Sequence, residues 1–325
     1  MIKDPSSLSP TITIIGSYNE DITLVNGNFP QPGETVMASR LVRGHGGKGS
    51  NQAIAAHHFG ARTRLVARLG DDEIGQAAIV LYKQLGIDIS YVCMDKEHPT
   101  GTAVILVNQT GQNMISIAPG ANLFLDIHDI NAACDNLKDI SIVGFQLENN
   151  LEAVFHGLKL VHGKGVITFL DPAPAQHLPD DLYRHISILK PNISEASLLS
   201  GVPVTGVQDA MTAGNWFLRR GVHTVIITLG NQGTVLVSGQ ERRHFPTFEV
   251  TPVDATGAGD IFSGAFLASY AAGDSLYEAI HFANAAAALS TQKFGVIDSI
   301  PPVEKVLALR EKLAKPTSEP PSVRV

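Results

Sequence analysis

The sequence is short of cysteines, of long apolar runs and of clustered basic residues, and each shortage excludes a class of protein. The two cysteines, Cys93 and Cys134, lack C-x-x-C spacing, which argues against a redox or zinc motif and predicts inert thiols in a reducing compartment. No apolar run approaches the ~18 residues that cross a bilayer, and MIKDPSSLSP at the start lacks the apolar region of a signal peptide. We therefore expect a cytoplasmic protein without a membrane partner.

Positive charge is scarce as well. The chain has 24 Lys and Arg against 31 Asp and Glu, a formal net charge of −7, and no Lys/Arg run. Binding to a nucleic-acid backbone requires a basic face, so nucleic acid is not an expected partner. The 12 histidines include no H-E-x-x-H motif, and the adjacent His57 and His58 would point about 100° apart on a helix. We interpret the histidines as scattered core and surface residues.

What the sequence does contain is a regular alternation of short β-branched runs with helical periods. Its 325 residues suit one large or two ordinary α/β domains. The alternation predicts an α/β fold, with a doubly wound, mostly parallel sheet covered by helices on both faces. The predicted strands are residues 11–16, 64–70, 140–145, 165–171, 185–190 and 224–230. The predicted helices are residues 48–59, 72–85, 127–137, 149–162, 194–200 and 208–220, before an almost wholly helical stretch, 259–314.

Two segments break this rhythm. Residues 22–43 and 91–118 alternate like strands without an intervening helix, and TAVILVNQTGQNMISIA is a hairpin pattern with a polar, Gly-containing turn. We expect them to form a small β lid or an oligomer interface, leaving residues 1–21, 44–90 and 119–325 as the α/β core. Both chain ends are rich in Pro and Ser and are expected to be frayed.

The first dense glycine cluster lies in RGHGGKGSNQA. Its residues from Gly44 to Gly49 satisfy G-x-G-x-x-G, and Asp71 follows about twenty residues on, as in a dinucleotide-binding fold. Against a dehydrogenase, the preceding strand is polar, and the buried first strand ends far upstream at Gly16. A Walker A loop fails because Lys48 is followed by glycine rather than Ser or Thr.

Lys48 also occupies the first turn of a predicted helix, where the helix dipole disfavours a cation. An anionic ligand would compensate for that cost, whereas the alternative is a solvated lysine after a flexible loop. Asn51, one turn later, either faces the same ligand or is simply a polar residue near the helix start.

The second cluster, VDATGAGDIF, places small residues before an apolar helix. If the helix starts near Gly257 or Ala258, its first amides form an anion site that a phosphoryl group can approach closely. Asp260 then lies beside the anion, and an obvious task for its carboxylate is to accept a proton from a hydroxyl that attacks phosphorus. The alternative is an aspartate that the helix dipole merely stabilises. Asp254 either caps the loop or offers oxygen to a cation.

The two clusters, GGKGSNQA and DATGAGDIFSGAF, resemble the two signatures of the ribokinase-like (PfkB) carbohydrate kinases. Between them GSYNEDI, PGET, TGTAVILVN, LDPAPA, PNISEA and ITLGNQG follow the order of that family, so the resemblance spans residues 11 to 312. It implies an ATP-dependent kinase that transfers the γ-phosphoryl group to a primary hydroxyl of a sugar, with D-ribose the first expectation. It also implies a homodimer clasped through the lids.

The resemblance assigns roles to individual residues. It implies polar sugar contacts at Asn19, Asp21, Gly47, Lys48, Asn51, Glu148 and Asp260, and apolar sugar contacts at Ala103, Ile105 and Ile115. It implies that Asp260 is the catalytic base and that the backbone amides from Ala255 through Gly259, including Gly257 and Ala258, form the anion hole. The implied nucleotide contacts are Asn192, Thr228, Gly230, Gly233, Gly257, Gly259 and Asn284. Mg²⁺ would be organised through water by Asn192 and Glu195, and K⁺ would be held near Asp254, Thr256 and Ser299.

The sequence departs from the family pattern at several places. Tyr18 and Glu20 flank Asn19, His45 precedes the double glycine, residue 255 is alanine, and TQKFGVIDS is one residue longer than the family's cation loop. Two alternatives therefore stay open, namely a related kinase for a deoxysugar, fructose, a keto-sugar acid or a nucleoside such as pseudouridine, and a sugar-binding regulator without catalysis. The few aromatics in the lid strands disfavour a nucleoside, and the intact Asp260 disfavours the regulator.

Overall fold

The computed structural model describes residues 11–109, 112–135, 137 and 139–313. The chain ends expected to be frayed, and residues 110 and 111 of the predicted hairpin turn, lie outside these ranges. Within them the strands are β1 (Thr11–Ile15), β2 (Asn19–Val25), β3 (Arg40–Gly46), β4 (Arg62–Gly70), β5 (Asp88–Asp95), β6 (Gly101–Val107), β7 (Asn113–Ala118), β8 (Ile140–Phe145), β9 (Ile167–Leu170), β10 (Ile188–Leu189), β11 (Thr224–Thr228), β12 (Thr234–Ser238) and β13 (Arg242–Phe245). The α-helices are α1 (Lys48–His58), α2 (Glu73–Leu85), α3 (Ile127–Cys134), α4 (Leu151–Gly163), α5 (Ile193–Ser200), α6 (Val207–Leu218), α7 (Ala258–Ala271), α8 (Leu276–Ser290) and α9 (Val303–Leu313).

The large sheet is doubly wound, as predicted. Its nine strands run β13-β12-β11-β10-β9-β8-β1-β4-β5, and all pairs from β11 to β5 are parallel. Strand β1 is buried along its whole length because helices cover both faces of the sheet. Ile12 and Ile14 pack into the core shared with α1, α7 and α8, whereas Ile15 packs into the core shared with α3, α4 and α6. Each helix therefore buries its apolar face on one side of a common sheet.

Three strands of the large sheet were not predicted. Strands β12 and β13 form an antiparallel hairpin at one edge, and β5 forms the other edge. Residues 91–95 were wrongly assigned to the lid, because they belong to β5 of the large sheet. Most of β5 is only partly buried, so its sequence alternates as the lid strands do. One predicted strand is much shorter than expected, since residues 185–190 form a strand only at Ile188–Leu189.

A separate four-stranded sheet has the order β3-β2-β6-β7. Strands β2 and β6 are parallel, and the other two pairs are antiparallel. Its first two strands, β2 and β3, begin at Asn19 and end at Gly46. The small sheet therefore includes residues 19–21 and 44–46, which the prediction assigned to the core. Because side chains alternate along a strand, Asn19 and Asp21 share one face of β2 while Glu20 lies on the other.

The parallel topology places polar residues at one edge of the large sheet. The chain leaves β8, β9 and β10 and reaches Gln146, Asp171 and Lys190 at once. Open α/β sheets bind their ligands beyond the carboxyl ends of the strands, so this edge is where a site is expected. Among the helices of the described residues, none has the length and apolarity needed to cross a membrane.

Candidate active site

The N-terminus of α7 carries the glycine-rich loop. Gly257 is the N-cap residue and has φ 72° and ψ −1°, in the left-handed region that side chains rarely adopt. A Cβ built on Gly257 would lie 2.4 Å from Cγ1 of Val296, so the loop also packs too tightly for any side chain here. The turn therefore requires glycine for two independent reasons.

Only part of the predicted anion hole is free to donate. The amide of Thr256 donates to Oδ1 of Asp254 at 2.9 Å, and the amide of Ala258 donates to the carbonyl of Ala255 at 3.2 Å. In the described part of the chain, the amides of Ala255, Gly257 and Gly259 donate to no protein acceptor. Three of the five predicted amides thus remain for an anion, while the other two hold the loop in shape.

Asp260 is buried in the first turn of α7, where two amide side chains of α1 bind it. Nδ2 of Asn51 lies 3.1 Å from Oδ2 of Asp260, and Nε2 of Gln52 lies 3.1 Å from Oδ1. Both carboxylate oxygens therefore accept hydrogen bonds, which fix the orientation of the carboxylate. The structure therefore joins the two glycine clusters, 209 residues apart, at one carboxylate.

The polar residues assigned to the sugar gather around the same carboxylate. Gly47 caps α1, and the amide of Lys48 donates to Oε2 of Glu148 at 3.0 Å. Oγ of Ser17 donates to the same Glu148 oxygen. Asn19 is buried, and its Oδ1 accepts from Nδ2 of Asn122 at 3.0 Å. Sequence reasoning missed the supporting residues Ser17 and Asn122, which lie outside any glycine motif.

The charges of this cluster perturb one another strongly. Burial first, and then the carboxylates of Glu148 and Asp260, raise the pKa of Asp21 to about 7. Burial alone would lower the pKa of the Lys48 ammonium, but the surrounding carboxylates, led by Asp260 and Asp171, raise it overall. Lys48 therefore stays a cation in a site that has a surplus of carboxylates, so a further anionic group bound there requires additional positive charge.

The residues predicted to be apolar sugar contacts lie on the small sheet. Ala103 pairs with Asp21 in the β2–β6 register, and Ile115 pairs with Ile105 across β6 and β7. All four side chains therefore belong to the face that carries Asp21. Ala103 and Ile105 are buried, whereas Ile115 is 52% exposed and faces open space in this conformation.

The residues near Asn19 that depart from the family pattern form contacts outside the sugar cluster. Glu20 forms an ion pair with Arg43 at 2.8 Å, on the face of β2 opposite to Asp21, so its carboxylate does not join the sugar cluster. The hydroxyl of Tyr18 lies 2.7 Å from Nδ1 of His45. That hydrogen bond ties the buried Tyr18 at the start of the small sheet to strand β3.

A cleft of about 810 Å³ adjoins the N-terminus of α7. The predicted nucleotide residues that line it are Asn192, Thr228, Gly230, Gly233, Gly259 and Asn284. Oδ1 of Asn284 accepts from Oγ1 of Thr234 at 2.7 Å, while its buried Nδ2 has no partner within the described residues. Sequence reasoning missed the apolar wall formed by Phe248, Val250 and Ala287. An apolar cleft with an unpaired amide donor suits a planar heterocycle.

The predicted metal residues form hydrogen bonds within the protein. Asn192 and Glu195 form the capping box of α5: the amide of Glu195 donates to Oδ1 of Asn192 at 2.9 Å, and the amide of Asn192 donates to Oε2 of Glu195 at 2.8 Å. Asp254 accepts from the amides of Thr256 and Gly295, and Oγ of Ser299 donates to the carbonyl of Val296 at 2.7 Å. Across the described ranges, no three or more His, Cys, Asp or Glu side chains converge as metal ligands.

A divalent cation nevertheless fits the charge of this edge. The carboxylates of the cluster are Asp21, Glu148, Asp171, Glu195 and Asp260, and the cations are Lys48 and Lys190. Burial and the charge of Asp171 raise the pKa of Glu195. Magnesium binds through few carboxylates and retains its waters, so one or two such groups suffice.

A second layer beneath Asp260 was not predicted at all. Gln52 donates to both Asp260 and Asp171, and Asp171 also binds Lys190 at 2.7 Å and Ser263 at 3.2 Å. Asp171 and Lys190 each follow a buried strand directly. Their position at the carboxyl edge of the sheet is the sequence feature that could have identified them as site residues.

The comparisons with known proteins agree with this geometry. A family model described as "pfkB family carbohydrate kinase" matches residues 9–302. A ribokinase of Staphylococcus aureus strain COL is 39% identical, covering 91% of this chain and 98% of its own. A deoxyribokinase of Salmonella typhi is 33% identical, with coverages of 90% and 96%.

A solved structure is similar over the same range. The structure of Arabidopsis thaliana ribokinase complexed with ribose and ATP is 32% identical, covers 93% of this chain and 99% of its own, and has a TM-score of 0.84. The dinucleotide-binding alternative fails, because Gly44 and Gly46 lie in an antiparallel strand of the small sheet rather than in a strand–turn–helix unit. By its fold, its two glycine motifs and its relatives, the chain belongs to the pfkB family of carbohydrate kinases.

Proposed function

We propose that the protein transfers the γ-phosphoryl group of ATP to the O5 hydroxyl of D-ribose. The observation that carries the proposal is the hydrogen bond between Asn51, in the sugar cluster, and Asp260, which directly follows Gly259 in the lining of the nucleotide cleft. The carboxylate of Asp260 therefore lies between the residues assigned to the sugar and those assigned to the nucleotide. The ribokinases among the relatives, one of them solved with ribose and ATP, support the same choice of substrates.

The geometry accounts for the chemistry in a single transfer step. Asp260 accepts the proton of the attacking sugar hydroxyl as the new oxygen–phosphorus bond forms and the bond from phosphorus to the bridging oxygen of ADP breaks. The free amides of Ala255, Gly257 and Gly259 point to the developing charge on the phosphoryl oxygens. Lys48 adds a full positive charge from the sugar side.

The sugar cluster is suited to a small polyol. Asn19, Asp21, Asn51 and Glu148 offer directional hydrogen-bond partners, and a sugar that fails to engage them leaves buried polar groups unpaired. Ala103 and Ile105 supply an apolar wall for the carbon face of the ring. Such a site rejects ligands that lack hydroxyls more strongly than it separates closely related sugars.

Magnesium and potassium complete the proposal. Mg²⁺ would neutralise the phosphates of the nucleotide, with Asn192 and Glu195 holding it through water. K⁺ would occupy the loop of Asp254, Thr256 and Ser299 beside the anion hole.

We further propose that the small sheet acts as a lid over the sugar and as a dimer interface. Its outer face exposes Leu41 (57%), Val104 (38%) and Met114 (54%), which lie in three of its four strands. Apolar residues grouped on one exposed sheet face mark an interaction surface. A homodimer of this kind, working in the cytoplasm, would cover them.

The decisive experiment measures ADP release from magnesium-ATP with potassium present, for ribose, 2-deoxyribose, fructose, 2-keto-3-deoxygluconate, adenosine and pseudouridine. Ribose should give the highest kcat/KM. A preference for 2-deoxyribose would move the substrate to that of the deoxyribokinase relative while keeping the mechanism. No turnover with any sugar, despite ribose binding, would favour the sugar-binding regulator.

The base assignment is tested with a matched pair of variants. Asp260 and Asp209 each lie in the first turn of a helix, but Asp209 is in α6 and accepts hydrogen bonds from the amide and hydroxyl of Thr205, just before that helix. Asp260→Asn should lower kcat by about 10²–10⁴-fold, the usual contribution of a positioned base, with ribose binding retained. Asp209→Asn should leave the rate unchanged. Equal activity of both variants would refute the assignment.

A further inference from the structure

A buried ion pair lies beneath the base and has no part in the mechanism above. Asp171 follows β9 and Lys190 follows β10, and these strands are neighbours in the large sheet. The two residues are 2% and 3% exposed, and Nζ of Lys190 lies 2.7 Å from Oδ2 of Asp171. Replacing such a pair with neutral residues is often harmless to stability, so burial alone does not explain its presence.

One side-chain amide connects this pair to the base. Nε2 of Gln52 lies 2.9 Å from Oδ2 of Asp171 and 3.1 Å from Oδ1 of Asp260. Nε2 of Gln146 donates to Oε1 of Gln52 at 2.7 Å, which fixes which end of the Gln52 amide is the donor. The carboxylates of Asp171 and Asp260 therefore each accept one hydrogen of the Gln52 NH₂ group.

Lys190 makes a second contact with the catalytic loop. Its Nζ lies 3.3 Å from the carbonyl oxygen of Gly259, the residue directly before Asp260. Oγ of Ser263, one helical turn after Gly259, lies 3.0 Å from the same carbonyl oxygen and 3.2 Å from Oδ2 of Asp171, so its single hydrogen is within reach of both acceptors. The ion pair thus binds the backbone of the first turn of α7 as well as the side chain of the base.

Two carboxylates this close repel each other unless a cation compensates for one of them. We propose, on the basis of the proposed role of Asp260 as base, that Asp171 and Lys190 are positioning residues for it. Asp171 orients the base through Gln52, while Lys190 cancels the charge of Asp171 and holds the carbonyl of Gly259. Neither residue touches a substrate in this assignment.

The remaining charged groups around Asp260 stay unchanged in the test. They are Lys48 on α1, Asp21 on β2 and Glu148 after β8, each of which interacts electrostatically with Asp260, while Glu195 on α5 faces Asp171. A change in the pH–rate profile that follows substitution of the pair alone therefore reports the charge of the pair.

The test compares the pH dependence of kcat/KM for ribose in three variants. Lys190→Met leaves Asp171 uncompensated beside the base, so the acidic limb should move to higher pH by on the order of one unit. Asp171→Asn leaves Lys190 uncompensated, so the limb should move to lower pH. The double variant, which has no charge at either position, should return close to the wild-type profile.

A control separates this effect from a general change in net charge. Asp129 on α3 is also buried and forms an ion pair with Arg68 at 2.7 Å. Asp129→Asn alters the net charge as Asp171→Asn does, and it should not move the profile. Shifts in the same direction for both single variants of the pair, or no shift in either, would overturn the proposal.

Failure of the proposed function and failure of the positioning role give different results. If Asp260→Asn stays active, the base itself is wrong and the proposed function fails, whereas an inactive Asp260→Asn with unmoved profiles overturns only the positioning role. Should a single variant fail to fold, Gln52→Met decides, because it keeps both charges and removes only the bridge. That variant should lose at least about tenfold in kcat with little change in KM, and an unchanged kcat would overturn the proposal.

Discussion

Gly257→Ala tests whether the loop before α7 holds the catalytic amides. Gly257 has φ 72°, and its missing Cβ would lie 2.4 Å from Cγ1 and 2.8 Å from Cγ2 of Val296. Alanine therefore meets a backbone penalty and a steric overlap at the same position. Because the amide of Gly257 is one of the three free donors, any shift of the loop also moves the anion hole.

The expected magnitude follows from these two terms. A non-glycine residue in the left-handed region costs about 1–2 kcal/mol. Overpacking against a buried β-branched side chain adds about 1–3 kcal/mol. We expect a total loss of about 2–5 kcal/mol in the free energy of unfolding, summed from the same two terms. Displacing one anion-hole donor lowers kcat by about 10²–10³-fold.

A second glycine next to the same helix provides the control. Gly273 follows the C-terminus of α7 with φ 95°, but no heavy atom lies within 4 Å of its missing Cβ. Gly273→Ala should show the backbone penalty alone and a normal kcat. Urea unfolding gives the two stabilities, and Val296→Ala in the Gly257→Ala background should restore part of the loss.

The reasoning would be refuted by either of two results. If Gly257→Ala and Gly273→Ala lost the same stability, the contact with Val296 would contribute nothing. If Gly257→Ala kept a normal kcat, the amide of Gly257 would not belong to the anion hole.

Three other predictions use the rest of the site. The pKa of Asp21 is raised from 3.8 to about 7 in the folded state, so the contribution of Asp21 to stability falls as the pH rises between these two values. Asp21→Asn should therefore make the melting temperature depend less on pH in this range. A pH dependence equal to that of the wild type would contradict the prediction. Asn284→Ala should raise KM for ATP with KM for ribose unchanged, measured by ADP release. Met114→Glu on the small sheet should shift the protein to a monomer in sedimentation equilibrium, whereas Val80→Glu, on the exposed side of α2, should not.

The sequence predicted the layered fold because its central strands are buried on both faces. Such strands appear as short β-branched runs whatever their neighbours are. Strands at the sheet edges have no such signature: Arg242–Phe245 is largely exposed, and Asp88–Asp95 is partly buried. They form because a neighbouring strand offers a backbone to pair with, which a local pattern does not reveal.

The candidate site was predicted as far as the two glycine clusters and the family resemblance assign its residues. Asp260, Lys48 and Asn51 were found in this way, whereas Gln52, although adjacent to Asn51, was not. Successive helical residues point about 100° apart, so two adjacent residues are not generally expected to contact the same group. Both nevertheless reach one carboxylate because the N-terminus of α7 lies against this turn of α1, a tertiary contact that no motif encodes.

That helix contact also explains how a core-packing feature sets a catalytic distance. Gly264 lies one turn after Asp260, and a Cβ there would be 2.5 Å from Cβ of Ala55 and 2.8 Å from the carbonyl oxygen of Gln52. Helices α1 and α7 therefore touch at backbone distance, closer than any side chain permits. The 3.1 Å hydrogen bonds from Asn51 and Gln52 to Asp260 depend on that approach. The glycines of the second motif thus serve two purposes, since those before Asp260 shape the anion hole and Gly264 brings the donors of the first motif to the base.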